Sequence, residues 1–181
     1  MPFRRPKELQ RNPSQKSTPN PDQAWKVLGL VVDWIKHAEA KAGATLAATA
    51  ASGVMLYNLS KELNGPSVLL VIALLLCGFS LTFAGVCAGL ALWPRLRTKE
   101  EPISHLYFSH TARAHAVDST YIDALLILTG NPEDLVKEIA AQGWANSKVA
   151  HKKYFWCGLA IRFLLAGLIL LAVSATVRVL S

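Results

Sequence analysis

The amino-acid sequence predicts an all-α membrane protein. Three transmembrane helices are expected, two as a hairpin and one at the C-terminus, with a cytoplasmic amphipathic helical insert before the last. Two observations lead to this prediction. Long apolar stretches with almost no charge lie at about residues 42–59, 67–93 and 155–177. In addition, only 17% of the 181 residues are charged, whereas a soluble domain carries about 25%.

The N-terminal segment, residues 1–21, is basic and contains several prolines. No apolar run follows its charges, so it does not resemble a secretory signal. Its composition predicts a disordered tail. Residues 22–181 are then expected to form a single membrane domain. This domain begins with apolar side chains at helical spacing, which predicts an amphipathic helix over residues 22–41.

The first predicted span, residues 42–59, consists mostly of alanine, glycine, serine and threonine. Small side chains allow close approach between membrane helices, and Gly43, Ala47 and Ala51 are predicted to form such a packing row. A buried helix of a soluble protein is the alternative interpretation of this stretch.

The second predicted span, residues 67–93, has no charged residue at all. The sequence Asn64-Gly65-Pro66 precedes it and predicts a tight turn, so the first two spans are expected to form a hairpin. Within the second span, Gly85 and Gly89 form a G-x-x-x-G pattern, which is typical of helix-packing faces in membranes.

Residues 94–154 are polar and basic and are predicted to form the cytoplasmic helical loop. Apolar residues recur at helical spacing from Ile103 to Leu125, which predicts one helix ending at Gly130. A second helix is expected to start at Pro132, with a bend at Gly143. The third span, 155–177, contains Arg162, and the sequence leaves open whether this residue reaches the inner interface or lies near mid-membrane.

The distribution of lysine and arginine predicts the orientation of the chain. Residues 1–41 contain eight of them and residues 95–154 contain another eight, whereas the turn after the first span contains only Lys61. By the positive-inside rule, the N-terminus and the long loop are cytoplasmic. The C-terminus is expected on the outside.

The sequence contains no recognisable catalytic motif, so no enzymatic activity is predicted. His105, His110 and His115 are five residues apart, and on one helix this spacing would rotate each by about 140° from the last. No metal site is therefore expected. The net charge of +7 is not gathered on a basic helix with aromatic residues, which favours lipid headgroups or an anionic ligand over nucleic acid as a partner.

The candidate ligand-binding residues are charged side chains near the inner ends of the first and third spans. If the bundle brings these ends together, their cations form a basic pocket that suits a phosphodiester. The alternative is that the lysines only anchor the helix ends at the membrane surface. The candidate set is Asp33, Lys36, Lys41, Arg113, Lys152 and Lys153.

Short motifs in this order resemble the transmembrane type of Pycsar effector proteins. Residues 39–43 read E-A-K-A-G, residues 93–95 read W-P-R, and residues 152–154 read K-K-Y. They flank the small-residue span, the leucine-rich span, the helical insert and the final span in the order that the family shows. The resemblance covers about residues 25–177.

The resemblance implies an anti-phage protein of the bacterial inner membrane. In that system a partner uridylate cyclase makes a cyclic pyrimidine mononucleotide on infection, cyclic UMP for this effector type. The effector then impairs the inner membrane, and the cell dies before phage mature. We further expect a homo-oligomer in the lipid bilayer, with cyclic UMP as activating ligand and no cofactor.

Two alternatives stay open at this point. Related CBASS membrane effectors share the general architecture, which leaves the choice of nucleotide undecided. A small membrane anchor or accessory protein without any ligand would also fit the apolar stretches.

Overall fold

A computed structural model describes residues 18–61, 67–94, 104–107, 111–112, 114–115 and 117–180. Within these residues the chain is helical and contains no strand, which confirms the all-α class. Most of the predicted tail and the candidate Arg113 lie outside the described residues. The helices are α1 (Pro21–Lys61), α2 (Val68–Leu92), α3 (Asp118–Gly130) and α4 (Pro132–Leu180).

Helix α1 joins the predicted amphipathic helix and the first predicted span without a break, over 41 residues. Asn20 caps its start, since the side-chain oxygen accepts the backbone N–H of Gln23 at 3.2 Å. Pro21 occupies the first helical position, where a missing N–H costs nothing. The many alanines that follow favour the helix. At about 1.5 Å per residue, α1 is about 60 Å long, roughly twice the hydrocarbon thickness of a bilayer.

Helix α4 is likewise continuous, over 49 residues that include the second insert helix and the third predicted span. Asn131 caps it by accepting the backbone N–H of Glu133 at 3.1 Å. Gly143 lies inside the helix and does not interrupt it. A single glycine costs a helix about 1 kcal/mol, which strong helix-forming neighbours on both sides can offset.

Helices α1, α2 and α4 pack against one another as a three-helix bundle. Leu56 of α1 lies beside Gly78 of α2, and Thr49 lies beside Gly85. Because the residue number falls along α1 as it rises along α2, these two helices are antiparallel. The hydroxyl of Ser80 donates to the carbonyl of Phe163, and Nζ of Lys153 donates to the carbonyl of Ala91. Residue numbers thus rise in α2 as they fall in α4, so these two helices are antiparallel. Helix α4 therefore runs parallel to α1.

The face of α1 that enters the bundle differs from the predicted one. Ala47 and Ala51 of the predicted row are exposed. Alanine surrounds this part of α1 on all sides, so composition alone does not distinguish its faces. The buried positions recur every three or four residues, at Ala38, Ala42, Thr45, Thr49 and Ser52.

Helices α2 and α4 are long and apolar enough to cross a membrane, and they are the two such helices in the described part of the chain. Large apolar side chains cover their outward surfaces, including Leu75, Phe79, Leu165 and Ile169. Outward apolar surface of this extent is what lipid contact requires. The predicted span at residues 42–59 belongs to α1, whose small and polar side chains leave it less apolar than the other two.

The predicted single helix from Ile103 to Gly130 is interrupted: residues 104–107 form a turn, residues 111, 112 and 114 are helical, and residues 115 and 117 are not. Helix α3 starts only at Asp118, and Val117 before it is extended, with φ −133° and ψ 142°. The hydroxyl of Thr120 donates to the carbonyl of Val117 at 2.7 Å, and Asp118 accepts the backbone N–H of Ser119. Such local side-chain bonds compete with helix continuation, which apolar periodicity does not register.

Candidate functional site

At the end of the bundle where α2 stops, one lysine joins three helices. Lys153 of α4 is buried, with 4% of its side chain exposed. Its Nζ donates to the backbone oxygen of Ala91 in α2 at 2.9 Å and forms an ion pair with Glu39 of α1, also at 2.9 Å. We call Glu39, Ala91 and Lys153 the three-helix junction.

The position of Ala91 explains why its carbonyl takes a cation. Ala91 lies in the last turn of α2, which ends at Leu92. Carbonyls of a last turn have no amide partner within the helix, and they carry the negative end of the helix dipole. The Lys153 ammonium therefore satisfies an otherwise unpaired oxygen.

The two bonds of Lys153 differ in strength. A hydrogen bond to a charged group contributes about 1.5–3 kcal/mol when it is shielded from water. Glu39 is 43% exposed, so water competes for its carboxylate and weakens the ion pair. The bond to the Ala91 carbonyl is thus the firm attachment, and the bond to Glu39 is the one more easily exchanged.

The surroundings of the junction are apolar on one side and cationic on the other. Ala42, Ala91 and Cys157 form a buried cluster on the bundle side. On the outer side, Lys41 is exposed and its Nζ lies 5.9 Å from the centre of the Tyr154 ring. The bundle therefore places Lys41 next to the segment that carries Lys153.

The other described candidate residues take no part in the bonds of the junction. Lys152 is exposed on α4. Asp33 and Lys36 pair with each other at 3.4 Å, with 60% and 70% of their side chains exposed. Six residues separate Asp33 from Glu39, which is about 9 Å along a helix axis. The structure thus brings Lys41 beside Tyr154, the neighbour of Lys153, whereas Asp33 and Lys36 pair with each other further toward the start of α1.

Glu39 is the residue that sequence reasoning missed. It was part of the E-A-K-A-G motif, but it was not included among the candidate site residues. The available signal was an acid at the entry to a span, opposite a lysine at the entry to another. The second partner of Lys153, the Ala91 carbonyl, is a backbone group and leaves no signal in the sequence.

Arg162 lies on the outer surface of α4. It follows Lys153 by nine residues, which is about 13 Å along the helix. Because helical side chains lean toward the N-terminal end of their helix, Arg162 leans toward the end of the bundle that holds the junction.

A second polar cluster lies in the insert. His105 and His115 do not share one helix, contrary to the prediction, because His105 lies in a turn and His115 is not helical. Their ring centres are 5.7 Å apart. The backbone N–H of His105 donates to the Glu138 carboxylate at 2.9 Å, which attaches this segment to α4. In the described part of the chain, no group of three or more metal-binding side chains is arranged to hold an ion.

In the first turns of α4, two carboxylates form ion pairs with an exposed lysine. Hydrogen bonds to Glu133 and Asp134 raise the pKa of Lys137, with 3.1 Å and 3.2 Å between the charged atoms. Lys137 is therefore committed to its own helix and offers a control for the cations at the junction.

Comparison with known proteins extends across the bundle and the junction. Residues 23–180 match the model of a family described as Pycsar effector protein domain. Over 155 residues the chain is 32% identical to the Pycsar effector protein PtPycTM of Propioniciclava tarda, covering 84% of this chain and 77% of that protein. No solved structure matches the chain. With a match that includes nearly all of the four helices, the chain belongs to the Pycsar effector protein family.

Proposed function

We propose that this chain is an anti-phage membrane effector. On infection it responds to a cyclic pyrimidine nucleotide, cyclic UMP, and impairs the integrity of the inner membrane, so that the cell dies before phage mature. The observation that carries this proposal is the family match over residues 23–180, which includes both apolar helices and the three-helix junction. In this role the protein is an effector and not an enzyme.

The proposed topology has three spans, with the N-terminus inside and the C-terminus outside. The second half of α1 supplies the first span. It accompanies α4 from the junction to the opposite end of the bundle, where Arg178 donates to the carbonyl of Leu59 at 3.4 Å. The lysine and arginine count supports the orientation. Reporter fusions at each terminus test it, and two cytoplasmic termini would rule it out.

The proposed ligand site is the cationic side of the junction. The phosphate of cyclic UMP takes the place of the Glu39 carboxylate on the Lys153 ammonium. The exposed Lys41 and Lys152 supply further donors, and Arg113 joins from the insert. One phosphate charge needs only two or three such donors. Asp33 accepts from the uracil, and Lys36 pairs with the same carboxylate at 3.4 Å.

This exchange gives the ligand a mechanical effect. The Glu39–Lys153 ion pair joins α1 to α4, and the Ala91 bond joins α2 to α4. Displacing Glu39 frees α1 at this end and leaves the other attachment intact. The freed helix then adopts a second arrangement that favours assembly of several copies, which breach the bilayer.

Dye leakage from lipid vesicles tests the proposal. Full-length protein is inserted into vesicles of inner-membrane lipid composition, and cyclic UMP is titrated. Lys41→Ala and Lys152→Ala are expected to require about tenfold more nucleotide, equivalent to about 1.4 kcal/mol. Lys137→Ala is the matched control, since it removes an exposed lysine of α4 that is already paired on its own helix.

The outcomes separate the possible functions. Leakage with an unchanged dependence on cyclic UMP in both variants would place the site elsewhere. Leakage with another cyclic nucleotide alone would favour a CBASS-type effector. Correct insertion without leakage for any nucleotide would favour a membrane anchor or accessory protein.

A further inference from the structure

Two imidazole nitrogens in the insert are buried without a hydrogen-bond partner among the residues that the structure describes. They are Nδ1 of His105 and Nε2 of His115. Buried polar atoms are nearly always paired, so two orphaned nitrogens in neighbouring rings call for a physical explanation such as a missing ion. The histidines come from different local elements, a turn at residues 104–107 and the segment just before α3.

Hydrogen bonding fixes the tautomer of His115. Its Nδ1 lies 3.2 Å from the hydroxyl oxygen of Thr120. That hydroxyl donates its one proton to the carbonyl of Val117 at 2.7 Å, so towards His115 it can only accept. Nδ1 therefore carries the proton of the neutral ring. The buried Nε2 is left with a bare lone pair.

The other ring presents the same kind of atom. His105 is the residue whose backbone N–H is held by Glu138 at 2.9 Å, so its position is set by α4. Its Nδ1 is buried and has no hydrogen-bond partner among the described residues. When the proton of the neutral ring is on Nε2, this Nδ1 also has a bare lone pair.

The separation of the rings fits a shared ion. Their centres are 5.7 Å apart, with an angle of 41° between the planes. Two imidazoles that bind one tetrahedral ion at about 2.0–2.1 Å place their ring centres roughly 5–6 Å apart. Metal-bound histidines also commonly donate their other N–H to an oxygen, as His115 does to Thr120.

We propose that His105 Nδ1 and His115 Nε2 bind one divalent transition-metal ion of the zinc type, with solvent completing its coordination. Imidazole is a preferred ligand of zinc, nickel and copper. The ion joins the turn after α2 to the start of α3, and Glu138 links the same turn to α4. Metal binding thereby orders the insert on the cytoplasmic half of α4. This inference does not depend on the nucleotide response proposed above.

Zinc titration of metal-free, untagged full-length protein in detergent micelles tests the site. Calorimetry is expected to show one zinc ion per chain, and cobalt is expected to give the visible absorption of a tetrahedral centre. His105→Gln and His115→Gln should each weaken zinc binding at least tenfold. His37→Gln and His151→Gln are matched controls, since both rings are exposed on helices away from the cluster.

A further variant reports on the hydrogen bond that orients His115. Thr120→Val removes the oxygen that accepts from Nδ1 and should weaken zinc binding about tenfold, within the range of 10–100-fold found for such outer partners. Circular dichroism checks that each variant keeps its helical content. Absence of zinc binding, or equal binding by His105→Gln, His115→Gln and the controls, would overturn the proposal.

Discussion

Helix α1 and the α2–α4 pair share one bundle but are held in different ways. Between α2 and α4, hydrogen bonds cross from helix to helix: Ser80 donates to the Phe163 carbonyl at 2.8 Å and the Cys77 thiol to the Gly167 carbonyl at 3.3 Å. The buried hydroxyls of α1 donate instead to carbonyls of α1 itself, as Thr49 does to Thr45 at 2.8 Å.

The contrast indicates which helix can shift at the lower cost. To move α4 along α2, the cross-helix bonds would have to break and a tight contact at Gly167 would have to open. To move α1, small side chains need only slide, once its attachments at the two ends are released. In the proposed response to cyclic UMP, α1 is therefore the helix that moves.

The largest effect is expected where α2 and α4 are closest. A Cβ added at Gly167 would lie 2.7 Å from the Leu81 Cδ2 and 3.1 Å from its Cγ. Gly167→Leu should therefore destabilise the protein by about 1–3 kcal/mol or more through overpacking. Unfolding in mixed micelles measures it. Gly158→Leu in the same helix is the control, because nothing lies within 4 Å of its added Cβ. Equal stability of the two variants would contradict a tight α2–α4 pair.

The next largest effect is expected at the three-helix junction. Lys153→Met keeps much of the side-chain volume but leaves the Ala91 carbonyl without its donor and Glu39 without its cation. We expect a loss of about 1.5–3 kcal/mol in unfolding free energy, as for a hydrogen bond to a charged group. Lys152→Met removes an exposed neighbour and should change stability by less than about 0.5 kcal/mol. A larger loss for Lys152→Met would show that the junction is not the attachment point.

A smaller change in stability but a clear change in response is expected for Glu39→Gln. The amide keeps the size of the side chain but loses the charge that competes with phosphate for Lys153. Because Glu39 is partly exposed, the loss in stability should stay below about 1 kcal/mol. Vesicle leakage should then need less cyclic UMP, by several-fold, than in the parent protein. Glu133→Gln is the control, since it makes the same change at an exposed acid that pairs with Lys137 on its own helix. A variant that needs more nucleotide would argue against displacement of Glu39.

The smallest change in unfolding free energy is expected for substitutions in the G-x-x-x-G pattern, Gly85 and Gly89. A Cβ at Gly85 would lie 3.7 Å from Thr49 within the same chain, whereas nothing lies within 4 Å at Gly89. Gly85→Leu should therefore loosen α1 from α2, and Gly89→Leu should impair only assembly between copies. Crosslinking in membranes measures the assembly of both glycine variants, with Leu75→Ala as the control. Full assembly of Gly89→Leu would show that this face is not an interface.

Sequence reasoning was most reliable where one physical property dominated. The charge-free run at residues 67–93 predicted α2 closely, and Pro132 is the first residue of α4, as its position in the sequence predicted. The orientation of α1 in the bundle was not predictable, because alanine on every side leaves no periodic signal. The break in the predicted insert helix was missed for another reason: short polar side chains near Val117 bond to nearby backbone groups and compete with the helix there.

The candidate site was predictable only in part. Lys41 and Lys153 each come just before an expected span, and the structure brings Lys41 beside Tyr154, whereas their binding of a ligand stays a prediction. The burial of Lys153 depends on where the last carbonyls of α2 point, and this is a property of the bundle as a whole. Asp33 and Lys36 pair with each other on the exposed surface of α1, and their part in ligand binding stays a prediction.

The hydroxyls along α1 bear on how water enters a bundle. Thr45, Thr49 and Ser52 each donate to a carbonyl four residues earlier on the same helix, so these bonds turn with the helix. Their oxygens keep a free lone pair, which faces dry side chains in the closed bundle. If α1 rotates about its axis, the three hydroxyls can face another protein surface or water and still keep their hydrogen bonds to the carbonyls of α1. These hydroxyls thus form a polar row in an otherwise apolar interior, and their hydrogen bonds do not depend on the neighbouring helices.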